Sequence, residues 1–292
     1  MWPTLKAEGV ALFAISYDPV AVLRAFADKH GITYPLLSDE GSHVIRRLGL
    51  VNERVQEDHA HYGIPANPRH VGLPYPGAFV LDEAGIISRK RFHESYRVRD
   101  TGAGLLARTL DQLEPVADHA VTRQDEAVRA RAWLDSPTYA FFQRLHVNVE
   151  VRVAPGFHVY GPPVPTGFVP LSMKVAPIDG VEIGAAEWPA PHPFEVKGLD
   201  ERFWVHEGTV HGTLPLTFSA PPGAGDRVIQ VTVTYQACSD SECLAPMGPR
   251  PEPSGPGGRT GGARAAQGVI RISDRWSGNP MRVVTCRFAW SQ

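Results

Sequence analysis

Two cysteines five residues apart, Cys238 and Cys243, are the residues of this sequence best suited to chemistry. They stand in the run Thr234-Tyr235-Gln236-Ala237-Cys238-Ser239-Asp240-Ser241-Glu242-Cys243-Leu244-Ala245-Pro246. A four-residue spacer containing Ser and Asp can turn back and bring two sulfurs to bonding distance. Closing so short a loop restricts the unfolded chain by only about 2 kcal/mol, so the pair is a weak staple. A reversible redox pair makes better use of the spacing, because a thiolate can attack either sulfur at an accessible turn. Two other readings stay open at this point. One is a static structural disulfide. The other is half of a zinc site, with His206 and His211 as candidate further ligands but no second cysteine pair beside them.

Other chemistry-bearing residues are sparser. Cys286 has no visible partner and is read as incidental. His43, His59, His61 and His70 gather in a polar stretch with Asp58, but their spacing matches no metal motif, and a solvated loop is expected there. No metal and no cofactor is implied.

Composition narrows the classes. A chain of 292 residues with 43% hydrophobic content should form about two cores. A formal charge of −2 gives no electrostatic case for nucleic acid or an anionic membrane. No run approaches the roughly 20 apolar residues of a membrane span, so no membrane insertion is expected. Met1-Trp2-Pro3-Thr4-Leu5-Lys6 lacks the basic and apolar regions of a secretory signal. Three cysteines are too few to staple a scaffold, so folding must rest on packing.

The elements that position these residues fall into two patterns. Residues 9–17 are almost all apolar and predict a buried parallel strand, and Asp18-Pro19 then opens a helix with Asp18 as N-cap, ended by Gly31. Ile32 to Leu36 predict a short strand, Ser38-Asp39 a helix cap, and 52–72 a looped-out insertion. Residues 78–82 and 86–92 predict a hairpin, and Thr101–Leu113 a helix. After about residue 115 the pattern changes. Residues 116–139 read as a linker or surface helix, and from His146 onward the period is two. Leu171–Val175, Val210–Phe218 and Val228–Tyr235 are further strand candidates at sandwich-like spacing. Beyond Met247 the Gly/Pro/Arg-rich sequence predicts a disordered tail over 248–292, in which Val269–Ile272 and Val283–Trp290 are stray strand candidates.

The runs Gly9–Asp18, Phe26–Asp39 and Pro76–Gly85 together resemble the back portion of a thioredoxin-fold redoxin of the peroxiredoxin (alkyl hydroperoxide reductase/thiol-specific antioxidant) type. Pro76 falls where such folds keep a cis-proline, although a trans-proline starting a strand fits the sequence equally well. The family places its reactive cysteine at a helix N-terminus ahead of the strand that corresponds here to 9–17. This chain has no cysteine before position 238. The resemblance therefore implies an incomplete, catalytically silent redoxin domain over 1–115, as from a truncated gene start.

Tyr235-Gln236-Ala237-Cys238 with Cys243-Leu244-Ala245-Pro246 resembles the N-terminal periplasmic domain of the thiol:disulfide interchange protein DsbD. Pro155–Gly161, Glu187-Trp188-Pro189 and Val205–Gly208 support the likeness over residues 140–247. It implies an immunoglobulin-like all-β sandwich, an extracytoplasmic (periplasmic) location and thiol/disulfide redox proteins as partners. It implies that Cys238 and Cys243 are the redox pair, with the mixed disulfide forming at Cys243. It also implies an aromatic cap over them, for which Phe194 is the candidate, with Tyr235 packing at the pair or in the core. A further strand is expected after the second cysteine, where this chain turns into its Gly/Pro-rich tail.

The sequence thus predicts a thiol–disulfide exchange module, an oxidoreductase if active, behind a silent redoxin domain. It sets no oligomeric state. The alternatives are a non-catalytic protein-interaction module with a static disulfide and a fragment of a peroxiredoxin-type antioxidant protein.

Overall fold

Leu145, Val147, Val149 and Val151 alternate along one strand and are at most 1% exposed. Opposite them lie Ile229, Val231 and Val233, and the two sets share one core. Burying each such side chain contributes about 1.5–3 kcal/mol, so this double row is the main reason the C-terminal half folds.

The computed structural model describes residues 2–7, 9–61, 65, 67–93, 95, 98–109, 120–136, 138–139, 142–195, 202–219, 225–239, 242–244 and 266–274. The chain divides into two units, Met1–Gly102 with Arg108–Gln112, and Ala103–Ala107 with Leu113–Gln292.

The first unit runs α1 (Trp2–Ala7), β1 (Ala14–Ser16), α2 (Val20–His30), β2 (Leu36–Ser38), α3 (His43–Arg47), α4 (Val55–His61), β3 (Gly77–Leu81), β4 (Ile87–Phe92) and β5 (Arg99–Asp100), with α5 (Gly102–Thr109) following. β1 and β2 pair in parallel, and β3 and β4 form the expected hairpin. The Asp82 carboxylate accepts the N–H groups of Ala84 and Ile86 at its turn. Gly31 ends α2 in the left-handed conformation (φ 61°), as expected.

Several expectations are corrected here. The strand predicted over 9–17 is three residues long and not buried: Phe13 is 58% and Ile15 45% exposed. An α/β strand is buried only where layers cover both its faces, and β1 with β2 forms a two-stranded sheet. Asp18 does not cap α2; Pro19 occupies the N-cap position, and Asp18 accepts a hydrogen bond from the Ser16 hydroxyl. Ser42 holds the N-cap position of α3, and Asp39, three residues upstream, supplies the carboxylate that accepts the N–H groups of Val44 (3.1 Å) and Ile45 (2.8 Å). The described residues of 52–61 do not loop out. Asn52 is buried, accepts the Arg54 N–H and donates to Asp58, and α4 buries Val55 and His59 one turn apart.

The second unit contains β6 (Val121–Gln124), β7 (Val128–Leu134), β8 (Gln143–Val153), β9 (His158–Tyr160), β10 (Ser172–Val175), β11 (Val181–Ile183), β12 (His192–Glu195), β13 (Arg202–His206), β14 (Thr209–Phe218), β15 (Gly225–Thr234), β16 (Ala237–Cys238) and β17 (Ala266–Asp274). One sheet has the order β11-β14-β8-β7-β6 and another the order β10-β15-β17; a third, β12-β13-β9-β16, carries the cysteine site. The first two face each other across the core as a β-sandwich.

Within the stretch 116–139, read from sequence as a linker or surface helix, the described residues form the strands β6 and β7 instead. Charged residues hid their period: Arg131 faces outward and pairs with Glu150 directly across on β8. The Glu150 carboxyl is pushed up by burial but held below the ordinary range by Arg131 and Arg152. Trp188 lies over Gly212 of β14, where an added Cβ would come within 2.5 Å of the indole. Within the tail expected to be disordered, Ala266–Asp274 is a strand that runs antiparallel along β15 from Ala266↔Val233 to Asp274↔Gly225. It supplies a strand after the second cysteine. Val283–Trp290 and Cys286 lie outside the described residues.

Candidate functional site

β15 ends at Thr234, and after Tyr235 and Gln236 the chain enters β16, which pairs with β9 through Ala237↔Val159 and Cys238↔His158. It then turns back within a few residues. The Ser239 N–H donates to the Glu242 carbonyl and the Leu244 N–H to the Ala237 carbonyl, both at 2.8 Å. Cys238 and Cys243 stand opposite each other in this hairpin and are disulfide-bonded, with Cα atoms 4.0 Å apart.

The two cysteines differ in exposure. Cys238 is 1% exposed, whereas Cys243 is exposed. Cys238 packs with Tyr160, Phe203 and Val205, and Phe168, Phe194 and Val164 close in as half-buried neighbours. The Tyr160 and Phe168 rings are 4.8 Å apart, and Phe168 and Phe203 5.3 Å. Gln236 holds the loop that carries Phe168 by accepting the Val169 N–H at 3.1 Å.

The Tyr160 hydroxyl lies 3.8 Å from Cys243 Sγ. Burial pushes its ionisation above the ordinary phenol value, so it stays protonated over the range in which thiols titrate. Strand β9 can approach β13 here because Gly161 follows Tyr160. A Cβ at Gly161 would come within 2.6 Å of Pro191 and 2.8 Å of His206 Nε2.

Phe194, the sequence's candidate cap, lies with its ring 4.3 Å from His158 and packs on the cluster that holds Cys238. Tyr235 is in the main core rather than at the pair. Its hydroxyl donates to Asp125 at 2.6 Å, and burial together with that carboxylate pushes its ionisation far up. Among the described residues the cis peptide bond is Pro162–Pro163, not Tyr75–Pro76. Pro76 instead opens β3, its carbonyl accepting the His93 N–H.

The zinc alternative gains nothing from the geometry. His211 faces Glu150 at 3.9 Å, His206 stands across from Val159, and each cysteine sulfur is bonded to the other. Of the N-terminal histidines, His59 and His70 come together with Nδ1 atoms 3.3 Å apart. Among the described residues no group of three or more His, Cys, Asp or Glu is gathered as metal ligands.

The sequence reading missed His158, Tyr160, Phe168 and Phe203 as parts of the site. The run Phe157-His158-Val159-Tyr160 alternates inside the stretch that carried the family likeness, and that was the available signal.

Comparison with known proteins finds matches for both halves of the chain. Residues 1–90 match the family model "AhpC/TSA family", and residues 134–252 match "Thiol:disulfide interchange protein DsbD, N-terminal". The putative peroxiredoxin bcp of Coxiella burnetii (strain RSA 493 / Nine Mile phase I) is 28% identical over 92 residues, 30% of this chain and 52% of that protein. The chain thus spans about half the length of this curated relative. The N-terminal periplasmic domain of ScsB from Proteus mirabilis is 18% identical with a TM-score of 0.32, covering 43% of this chain and 46% of that one. The reduced DsbD N-terminal domain of Neisseria meningitidis is 16% identical with a TM-score of 0.26, covering 44% and 82%. The chain therefore joins a thioredoxin-like segment matching the AhpC/TSA redoxin family to a β-sandwich segment matching the N-terminal domain family of DsbD.

Proposed function

We propose that the chain is a thiol–disulfide exchange protein in which the Cys238–Cys243 pair passes two electrons to or from partner redox proteins. The observation that carries this is the unequal exposure of two bonded sulfurs at a strand end. A partner thiolate reaches Cys243, while Cys238 leaves into, or attacks from, the aromatic cluster behind it. The exchange needs no cofactor. Phe194 and the loop bearing Phe168 limit approach to Cys238 from other directions.

The partners are thiol/disulfide redox proteins, and the compartment is extracytoplasmic, where such pairs persist. The match to the DsbD N-terminal family supports both readings. Among the described residues no helix is long and apolar enough to cross a membrane. The redoxin-like unit contributes no thiol of its own, because residues 1–237 hold no cysteine. Peroxide reduction needs a thiolate at the peroxide oxygen, so that unit is silent here as a peroxidase.

The test is the reduction potential of the Cys238–Cys243 pair, measured by equilibration with glutathione or dithiothreitol. A value in the range of exchange proteins, about −120 to −270 mV, is expected. A value below about −300 mV would make the disulfide a static brace and leave the non-catalytic interaction reading in its place.

A further inference from the structure

The exchange proposed above leaves a charge to be handled. When the disulfide opens at Cys243, the electron pair departs with the Cys238 sulfur. Cys238 is 1% exposed and packed among Tyr160, Phe203 and Val205. A bare thiolate is disfavoured in such surroundings, so the step needs a proton source beside it.

The strand register supplies one. Cys238 stands directly opposite His158 in the antiparallel pair β16–β9. Opposed residues of such a pair project to the same face with Cβ atoms about 4.5–5.5 Å apart, within reach of an imidazole. His158 is itself 3% exposed, with the Phe194 ring 4.3 Å away and the Tyr160 ring edge-on at 5.4 Å.

Among the described residues the other titratable groups on this face are few. From β9 there is Tyr160, which burial keeps protonated. β12 presents His192, exposed and paired with Glu207 at 3.3 Å. β13 presents Phe203 and Val205, while His206 falls on the alternate position, across from Val159. The turn presents Cys243 and the exposed Glu242. Among the described residues, His158 is thus the buried imidazole of the face that holds Cys238.

We propose that His158 is the proton partner of Cys238 in disulfide exchange. This rests on the exchange reading. On reduction, the thiolate of a partner dithiol attacks Cys243 Sγ and a new sulfur–sulfur bond forms as the Cys238–Cys243 bond breaks. His158 imidazolium gives its proton to the departing Cys238 sulfur. The partner's second thiolate then attacks its own sulfur in the mixed disulfide, releasing Cys243 as a thiolate and leaving the partner oxidised by two electrons. In the opposite direction neutral His158 takes the proton of Cys238 as that sulfur attacks Cys243 Sγ in the mixed disulfide, and the bond between Cys243 and the partner sulfur breaks to release the partner as a thiolate.

The test uses the full chain with dithiothreitol as the dithiol, following free thiols after acid quench between pH 5 and 9. Rates are corrected for the thiolate fraction of the reagent. Wild-type rates should fall through an imidazole-type inflection as pH rises. His158→Gln should lose that inflection and slow the reaction by about 100-fold at pH 6, within the range of general acid catalysis. His158→Gly should recover part of the loss when imidazole is added. In parallel, the His158 ring resonances of the wild-type protein are titrated by NMR. Their pKa should differ between oxidised and reduced protein, because the thiol is coupled to the ring only after reduction. A His158→Gln profile superimposable on wild type would overturn the proposal, as would identical titration in the two redox states, and the second result needs no variant to fold. A wild-type disulfide that resists dithiothreitol at every pH would instead sink the exchange reading itself.

Discussion

The hydroxyl of Tyr160 sits 3.8 Å from Sγ of Cys243, and its ring packs in the cluster that encloses Cys238. One side chain therefore touches the surroundings of both sulfurs, the phenol at the exposed one and the ring at the buried one. Because burial keeps the phenol protonated, it can donate to a Cys243 thiolate and favour that form.

Tyr160→Phe should keep the packing and remove the donor. The Cys243 thiol pKa should then rise, and its alkylation by iodoacetamide at pH 7 should slow by roughly threefold to tenfold, the equivalent of a hydrogen bond of about 0.5–1.5 kcal/mol. An unchanged alkylation profile against pH would show that the 3.8 Å approach carries no interaction.

The two cysteines should behave differently when each is left without the other. In Cys238→Ser, Cys243 should be alkylated readily and should hold partners as stable mixed disulfides. In Cys243→Ser, Cys238 should react at least about tenfold more slowly under native conditions, because it is enclosed while its counterpart is exposed. Mass spectrometry of timed alkylation reads both, and equal rates would remove the asymmetry on which the direction of attack rests.

Phe194→Ala should open the approach to the site. It should speed reduction by dithiothreitol several-fold while costing roughly 1–2 kcal/mol of stability. That is less than the 3–5 typical of a fully buried Phe, because this ring is half-buried. A large stability loss with unchanged reduction kinetics would mark the ring as core packing rather than a cap.

Acid should weaken the first unit through Asp100. Burial pushes this carboxyl up, but hydrogen bonds from His93 (3.1 Å) and Arg91 (2.8 Å), with their charges, outweigh it and hold it well below the ordinary value. A carboxyl depressed on folding contributes stability that is complete above its unfolded pKa of about 4 and is lost as pH falls toward the folded value. Asp100→Asn should lower stability at pH 7 by roughly 2 kcal/mol, short of a fully buried pair because Arg91 is partly exposed. The difference from wild type should shrink below about pH 4, as followed by thermal melts at pH 7 and pH 3.

The strands whose inward residues are Val, Leu or Ile at every second place were legible from sequence. β8, β10, β14 and β15 all fall where the alternation put them. β7 was hidden because Arg129 and Arg131 occupy its outward places and gave the stretch the look of a charged linker. Helix α4 was hidden because its buried positions include Asn52 and His59 next to it and within it, polar residues satisfied by local partners. At the site, the cysteine pair could be named in advance from its spacing, and Phe194 from the family likeness. The opposition of Cys238 to His158 could not. Register between strands some 80 residues apart is set by the whole sheet, and nothing local to either residue encodes it. Tyr235 shows the converse: its neighbourhood to Cys238 in sequence suggested the site, yet its side chain turns to Asp125 in the core.

Strand β17 changes what a domain boundary means in this chain. It lies along the outer side of β15, the strand that leads to Cys238, for nine residue pairs. A shortened protein ending at residue 252, where the family match stops, would leave that row of N–H and C=O groups open to another molecule. Such an edge invites intermolecular pairing. The practical consequence falls on protein production: expression trials should carry the chain through Asp274, and material cut before Ala266 should be checked for assembly through β15 before any redox measurement on it is believed.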